Sequence, residues 1–388
     1  MSICEWKKTS LGEVIALQRG YDLPEQDRNP GAIPVYGSFG ITGYHGTARA
    51  SAPGVTVGRS GASFGVVNYV PVPFWPHNTV LFVTDFKGND PRFISYLLKT
   101  IDLRVLNSGS AQPSLNRNYV YNVPVRIPPA RGQQLISDIL SAYDDLIENN
   151  TKRIKILEEM ARSLYREWFV NLCFPGHEKV KMVSSPLGKV PEGWRSSELQ
   201  ALVDDIRDSI NPSEIDPNTP YFGLEHLPRR SLNLAEWGRA ADVQSTKLRV
   251  KQMDILFGKI RPYFHKVGPS PIEGVCSSDT IVLRVRRAHD FGLAVAVTSS
   301  DEFVSHATQT SQGTKMPRAN WDVLRRYPVV VPPEPLLSTF NDFVTQSVKL
   351  IHALLFKNRN LQATRDLLLP RLISGEIDVT KVTKSITP

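Results

Sequence analysis

The sequence predicts an α+β chain in which two similar blocks of short strands are each followed by a long helix, the halves related by an approximate internal two-fold axis. Three observations carry this: a repeat at about half the chain length, a Pro-Pro step closing each block, and a heptad-like apolar stripe after each step. The 388 residues suit two to three domains of roughly 100–200 residues each. A composition of 41% hydrophobic and 22% charged residues is that of a folded globular protein and argues against disorder.

The blocks match element by element. Trp6, Leu11 and Val14 open the first, and Trp194, Leu199 and Val203 open the second, with Trp194 lying 188 residues after Trp6. Val57-Gly58-Arg59-Ser60-Gly61 answers Phe257-Gly258-Lys259-Ile260-Arg261, and Thr79-Val80-Leu81 answers Thr280-Ile281-Val282, with the offset now about 200. Pro113-Ser114-Leu115-Asn116 then answers Pro317-Arg318-Ala319-Asn320, and Val125-Arg126-Ile127-Pro128-Pro129 answers Val329-Val330-Val331-Pro332-Pro333, at an offset of 204. Between these landmarks the runs are apolar or β-branched and broken by Gly and Pro, which reads as strands. The glycines of the first block at Gly40, Gly43 and Gly46 read as turns.

After Pro129, the positions Ile136, Leu140, Tyr143, Ile147, Asn150, Ile154, Leu157, Ala161, Leu164 and Trp168 step by alternating fours and threes. A shift of 204 gives Phe340, Val344, Ser347, Ile351, Leu354, Asn358, Leu361, Arg365, Leu368 and Leu372, a stripe with three polar members. The first helix would run about 50 Å from Ile136 to Trp168. The seams can meet only if the second helix runs back along the first, so the pair is expected to be antiparallel and coiled-coil-like. Asn150 and Asn358 either meet each other and set register, or escape the seam through a local shift. The expected division is 1–130 and 176–333 for the two blocks, 131–175 for the first helix, and 334–388 for the second helix and tail.

Several function classes lack their motifs. The Gly-Lys steps at Gly188 and Gly258 do not fit a phosphate-binding loop, no His-Glu-x-x-His occurs, and neither Pro-Pro step sits in the Asp/Asn-Pro-Pro-Tyr/Phe loop of an amino-methyltransferase. The widely separated Cys4, Cys173 and Cys276 encode neither a disulfide framework nor a zinc ribbon. No catalytic or metal-binding residues are therefore assigned. No apolar run reaches membrane-spanning length, and the polar start lacks a signal-peptide pattern, so the expected compartment is the cytoplasm.

What recurs instead is recognition chemistry. Arg59 beside Gly58 answers Lys259 and Arg261 beside Gly258, and Gln112 and Asn116 answer Lys315 and Arg318. Arg and Lys suit phosphates and guanine edges, Gln and Asn suit adenine edges, and glycine admits close backbone approach. The net charge of +8 falls mostly in the two blocks, +4 over 1–130 and +3 over 176–333, as a polyanion partner would need.

Taken in order, Trp6 with Leu11-Gly12-Glu13-Val14, Pro34-Val35-Tyr36-Gly37-Ser38, Gly58-Arg59, Pro191-Glu192-Gly193-Trp194, Gly258-Lys259-Ile260-Arg261-Pro262-Tyr263, Leu164-Tyr165-Arg166-Glu167-Trp168-Phe169 and Leu369-Pro370-Arg371-Leu372-Ile373-Ser374-Gly375-Glu376-Ile377 make a pattern. With it the chain resembles the specificity (S) subunits of Type I restriction-modification systems over nearly its whole length. The resemblance implies two target-recognition domains, each reading one half of a bipartite site in double-stranded DNA, and two helices that set the spacer and dock two methylation (M) subunits. It implies a subunit that is non-catalytic and holds no cofactor. S-adenosylmethionine would belong to the methylation subunits, and ATP and Mg to the restriction (R) subunits, in a bacterial or archaeal cytoplasm. DNA contacts are expected from Arg59, Gln112, Asn116, Lys259, Arg261, Lys315 and Arg318. Arg162, Arg166, Trp168 and Phe169 are the expected docking surface, although for Trp168 packing on the second helix is the preferred reading. Two other classes stay open: a stand-alone methyltransferase or nuclease with a diverged site, and a structural coiled-coil adaptor.

Overall fold

The computed structural model describes residues 6–109 and 113–379. By contact the chain divides into two units, Met1–Ile147 with Asn360–Pro388, and Glu148–Arg359, each containing part of both long helices.

The first unit runs β1 (Lys7–Ser10), α1 (Leu11–Val14), β2 (Ala16–Arg19), β3 (Ile33–Gly37), β4 (Gly40–His45), β5 (Gly54–Gly58), β6 (Val67–Val70), β7 (Trp75–Pro76), β8 (Val80–Asp85), α2 (Pro91–Lys99), α3 (Arg117–Tyr121), β9 (Pro124–Ile127) and the start of α4 (Ala130–Tyr165). Its main sheet is antiparallel in the order β2-β8-β5-β6, and a smaller sheet has the order β4-β3-β7 with β3 and β7 parallel. β1 pairs with β9, which brings the two ends of the strand-rich block together before α4 begins.

Local chemistry explains the helix starts. Pro91 sits in the first turn of α2, where a missing N–H costs nothing, and the Asp90 carboxylate accepts from the Phe93 amide at 2.7 Å. α4 starts directly after Pro128-Pro129, and its buried Gln133 accepts from the Asp90 amide at 2.9 Å while donating to Asn89 Oδ1 at 2.8 Å and to the Pro128 carbonyl at 3.0 Å. The helix start is thereby tied to the loop before α2. Leu11, Ile15, Val57, Phe93 and Leu98 pack in one core with Ile136, Leu140 and Leu372 of the long helices.

The second unit continues α4 and then runs β10 (Met182–Ser185), β11 (Gly188–Pro191), β12 (Arg195–Glu198), β13 (Val203–Asp205), β14 (Ser209–Ile210), β15 (Pro220–Phe222), β16 (Gly238–Arg239), β17 (Lys247–Val250), β18 (Ile255–Gly258), β19 (Val267–Pro269), β20 (Gly274–Cys276), β21 (Thr280–Val285), α5 (Phe291–Thr298), α6 (Asp301–Gln309), α7 (Trp321–Leu324), β22 (Pro328–Val331) and α8 (Glu334–Ile373). Its sheets have the orders β13-β21-β18-β19 and β14-β17-β20-β15-β16, with β15 and β20 parallel, and β12 pairs with β22 just before α8. Ile255, Phe257, Ile281, Leu293 and Phe303 form its core with Ala161, Phe340 and Val344.

Within each unit the long helices run antiparallel, because later residues of α4 meet earlier residues of α8. In the first unit Ile136 and Leu140 share a core with Leu372, and Asp144 Oδ1 accepts from Arg365 at 2.6 Å. In the second, Asn150 donates to Asn358 at 2.8 Å, Ile154 packs with Ile351 and Leu354, and Phe169 lies 4.7 Å from Phe340, ring centre to ring centre. Every member of both stripes is buried or half-buried.

Three expectations are corrected. The blocks are not made of strands alone, since α2, α5 and α6 precede the long helices. The apolar run Phe291–Thr298 is a helix, all of it buried, and Gly292 in it faces Asn341 of α8 so closely that an added Cβ would lie 2.7 Å from the Asn341 Cα. Gly40 and Gly43 belong to β4 rather than to turns, at φ of 138° and 149°, values that suit a strand distorted where only glycine is comfortable. Finally, α4 does not stay regular to Trp168: it ends at Tyr165 and passes into a single π turn over Arg166–Val170.

Candidate nucleic-acid interface

In the first unit the chain leaves β5 through Gly58 and Arg59. The Arg59 amide donates to the Thr79 carbonyl at 2.8 Å, and the Arg59 carbonyl accepts from the Leu115 amide at 2.9 Å. Ser60 and Ser114 extend this contact as a further bridge. Gly58 is required here: a Cβ would run into the Ser63 carbonyl and lie 2.9 Å from the Ser38 carbonyl. Arg59 is thus held by its backbone and lines a concavity shared with Arg19, Ser60, Asn78, Thr79 and Ser114. Asn116 and Arg117 line its continuation. Asn116 caps α3, accepting from the Asn118 amide at 3.0 Å, so its side-chain oxygen already has a partner. Arg117 donates to the Leu17 carbonyl at 3.4 Å.

The second unit repeats this wiring. The Lys259 amide donates to the Asp279 carbonyl at 2.9 Å, and the Lys259 carbonyl accepts from the Ala319 amide at 2.9 Å. The Arg261 amide donates to the Pro317 carbonyl at 2.8 Å, and Ile260 bridges to Arg318. Arg261 adopts a left-handed backbone at φ 51°, with its guanidinium 5.9 Å from the Phe264 ring centre. Lys315 and Arg318 are exposed on the adjoining loop.

The two cationic loops differ in charge compensation. Among the described residues no carboxylate lies within ion-pair distance of Arg19, Arg59 or Arg117, so the three arginines that line this concavity and its continuation carry no acidic partner. In the second unit Arg318 stands 3.6 Å from Asp279, and Arg207 donates to Asp205 at 2.6 Å. Burial pushes the Asp205 carboxyl up from the ordinary range, against the pull of Arg207 and Lys259.

Of the residues expected to contact DNA, Arg59 and Asn116 come together in the first unit. Lys259, Arg261 and Arg318 come together in the second, with Lys315 on the same loop, and Gln112 lies outside the described residues. Sequence reasoning missed Arg19, Arg117 and Arg207. The signal for two of them was present, because the offset of 188 that carries Trp6 onto Trp194 also carries Arg19 onto Arg207.

The expected docking residues separate. Arg162 and Arg166 are exposed, Arg162 pairing with Glu159 at 2.9 Å, and both line a cavity with Tyr165, Arg230 and Asp301. Trp168 and Phe169 instead pack inward on Phe340, at 5.9 and 4.7 Å between ring centres, and Phe169 also meets Trp194 at 5.4 Å. Among the described residues no group of three or more His, Cys, Asp or Glu is placed to hold a metal ion, and no helix is long and apolar enough to cross a membrane.

Comparison with known proteins adds to this geometry. Residues 4–159 match the family model of the Type I restriction modification DNA specificity domain. The chain is 24% identical over 350 residues to the Type I restriction enzyme MjaIX specificity subunit of Methanocaldococcus jannaschii, covering 86% of this chain and 80% of that one. It is 21% identical over 354 residues to the Type I restriction enzyme EcoDI specificity subunit of Escherichia coli, covering 85% and 78%. The crystal structure of the S subunit of a Type I restriction-modification system from M. genitalium superposes with a TM-score of 0.65 at 15% identity, covering 95% of this chain and 96% of that one.

Proposed function

We propose that the chain is a DNA-recognition subunit of the Type I restriction-modification specificity family, a reading supported by the family model over residues 4–159 and by relatives along most of the chain, and that it divides its work as follows. Each block reads one half of a bipartite site, 1–130 the first and 176–333 the second. The long helices set the number of base pairs between the halves and dock two methylation subunits. The two blocks are a tandem duplication, a reading supported by the matching strand orders β2-β8-β5-β6 and β13-β21-β18-β19.

The observation that carries the proposal is the shared wiring of Arg59 and Lys259. In each unit a cationic residue follows a glycine, donates its amide to the residue before the last long strand of the main sheet, and accepts from the segment leading into a short helix. Main-chain bonds hold such a side chain in place and leave its charged end to meet phosphates or base edges. The chemistry of methylation and cleavage is assigned to other polypeptides, with S-adenosylmethionine on the methylation subunits, ATP and Mg on the restriction subunits, and the whole complex in the cytoplasm. Specificity subunits are non-catalytic parts of such complexes, which favours this division over a stand-alone methyltransferase, nuclease or coiled-coil adaptor.

Methylome sequencing of a host expressing the chain with its methylation subunit tests the reading. A bipartite methylated motif is expected, and exchange of residues 1–130 for another recognition domain should alter one half only. Alteration of both halves would overturn the modular assignment.

A further inference from the structure

We propose that Phe39, at the tip of the β3–β4 hairpin, is a specificity-determining residue that inserts against a base step of the first half-site. The inference rests on the DNA-reading assignment above and names the contact through which it acts. Gly37 pairs with Gly40, so Ser38 and Phe39 form a two-residue turn. Phe39 is 81% exposed, and Ile41, two residues on, is 50% exposed.

A lone exposed apolar side chain needs no explanation, but this one is held in a defined place. The Ser38 hydroxyl donates to the Thr79 carbonyl at 2.6 Å and stands 3.1 Å from the Ser60 carbonyl, and the Ser38 amide donates to the Thr79 hydroxyl at 3.2 Å. The Thr79 carbonyl is the same acceptor that takes the Arg59 amide. The turn and the arginine loop therefore converge on one oxygen, and Ser38, the neighbour of Phe39, is bonded to Ser60 and Thr79, two residues that line the concavity with Arg19, Arg59 and Asn78. The main chain of the turn is fixed as well, since Gly40 at φ 138° takes a backbone that a side chain would strain.

An exposed aromatic ring on a turn braced against an arginine-lined concavity suits a nucleic acid. The cations meet phosphates, and the ring stacks on a base or wedges into a flexible step, gaining discrimination from base identity and deformability. The braced turn reduces the ordering cost of that contact.

The test uses the complex of the full chain with its methylation subunit, on duplexes carrying 2-aminopurine at successive positions of the first half-site. Wild type should raise the fluorescence at one step, and Phe39→Ala should abolish that rise and weaken binding about ten-fold, with Phe39→Trp restoring both. Phe39→Ala with wild-type fluorescence and affinity would overturn the inference. Loss of the methylation subunit from the variant, with DNA affinity of the intact complex unchanged, would overturn it too and assign the tip to a protein contact. Absence of sequence-specific binding by wild type would instead overturn the DNA-reading assignment on which the inference stands.

Discussion

Asn150 donates its side-chain amide to Asn358 Oδ1 at 2.8 Å across the α4–α8 seam, where Asn150 is 4% exposed. Asn358 also donates to Thr151 at 3.3 Å, which gives the pair a second polar contact at the seam. Such a pair gives less stability than two leucines would, but it specifies which turn of one helix faces which turn of the other. Asn150→Leu alone should lower unfolding free energy by about 1–3 kcal/mol, because Asn358 keeps its polar group and loses the bond from the Asn150 amide. The double change to Leu should recover that loss. Urea unfolding of the four members of the mutant cycle measures the coupling, and additive single effects would show that the asparagines do not act as a pair.

How much of this seam was legible shows what periodicity can carry. The stripe from Ile136 to Trp168 is visible because apolar residues at alternating threes and fours leave few other interpretations, and the two asparagines stand out as the polar residues able to answer each other. Arg365 read only as a polar interruption. In the structure it donates to Asp144 Oδ1 at 2.6 Å, while Tyr96 of α2 donates to Asp144 Oδ2 at 2.6 Å. That network joins residues far apart in the chain, and no local pattern announces it. The helix α5 was hidden for a different reason: eight consecutive apolar or small residues have no preferred face, so a buried strand and a buried helix look alike until packing decides. At the candidate interface the glycine-cation steps were legible through their recurrence. The hydrogen bonds that fix them were not, because main-chain partners leave no trace in residue identity.

His352 gives the second unit a pH dependence. It lies on α8, 5% exposed, and burial holds its imidazole down at about 4, from the ordinary 6.5, despite the Pro269 carbonyl beside it. With the folded value depressed, the neutral ring contributes stability that is fully present above about 6.5 and is lost as pH falls toward 4, where the unfolded chain binds the proton more readily. The loss should approach roughly 2–3 kcal/mol at pH 4. His352→Leu should flatten that part of the profile. Urea midpoints from pH 7 to pH 4 that fall equally in both proteins would assign the acid sensitivity elsewhere.

Gly58 and Gly258 hold equivalent places, but with different room. An added methyl at Gly58 meets two carbonyl oxygens, whereas at Gly258 its nearest contacts are the Lys266 Cβ at 3.2 Å and the Lys266 carbonyl at 3.3 Å. Gly58→Ala should therefore displace the Arg59 loop and cost about 1–3 kcal/mol of stability, more than Gly258→Ala. Thermal unfolding of the two variants checks the order, and equal Tm losses would contradict the local geometry.

Arg59 and Lys259 have their backbones fixed independently of their side chains, so truncation should spare folding. Arg59→Ala or Lys259→Ala should weaken DNA binding by about 1–3 kcal/mol if a base edge is lost. If only a phosphate contact goes, the salt slope should fall by about 1 instead. The unopposed arginines of the first unit should make binding more salt-sensitive to changes at Arg59 than at Lys259, which shares its surroundings with Asp205 and the Arg318–Asp279 pair. Titration of DNA binding at several salt concentrations separates these outcomes, and unchanged affinity at every concentration would remove the residue from the interface.

The spacer proposal makes the most demanding prediction, because it requires both helices to be changed together. In the first unit Asp144 answers Arg365, and in the second Asn150 answers Asn358 and Ile154 answers Leu354, so a cut in α4 must be matched in α8 to keep partners aligned. Removing residues 148–154 together with residues 354–360 takes one heptad from each helix and preserves the phase of both stripes. Seven residues of helix rise about 10 Å, close to three base pairs of duplex. The complex of the shortened protein with its methylation subunit should therefore methylate a motif with the same two half-sites and a spacer shorter by about three base pairs. Methylome sequencing reads both quantities at once: an unchanged spacer would separate helix length from spacing, and altered half-sites would mean that the deletion had disturbed the reading domains themselves.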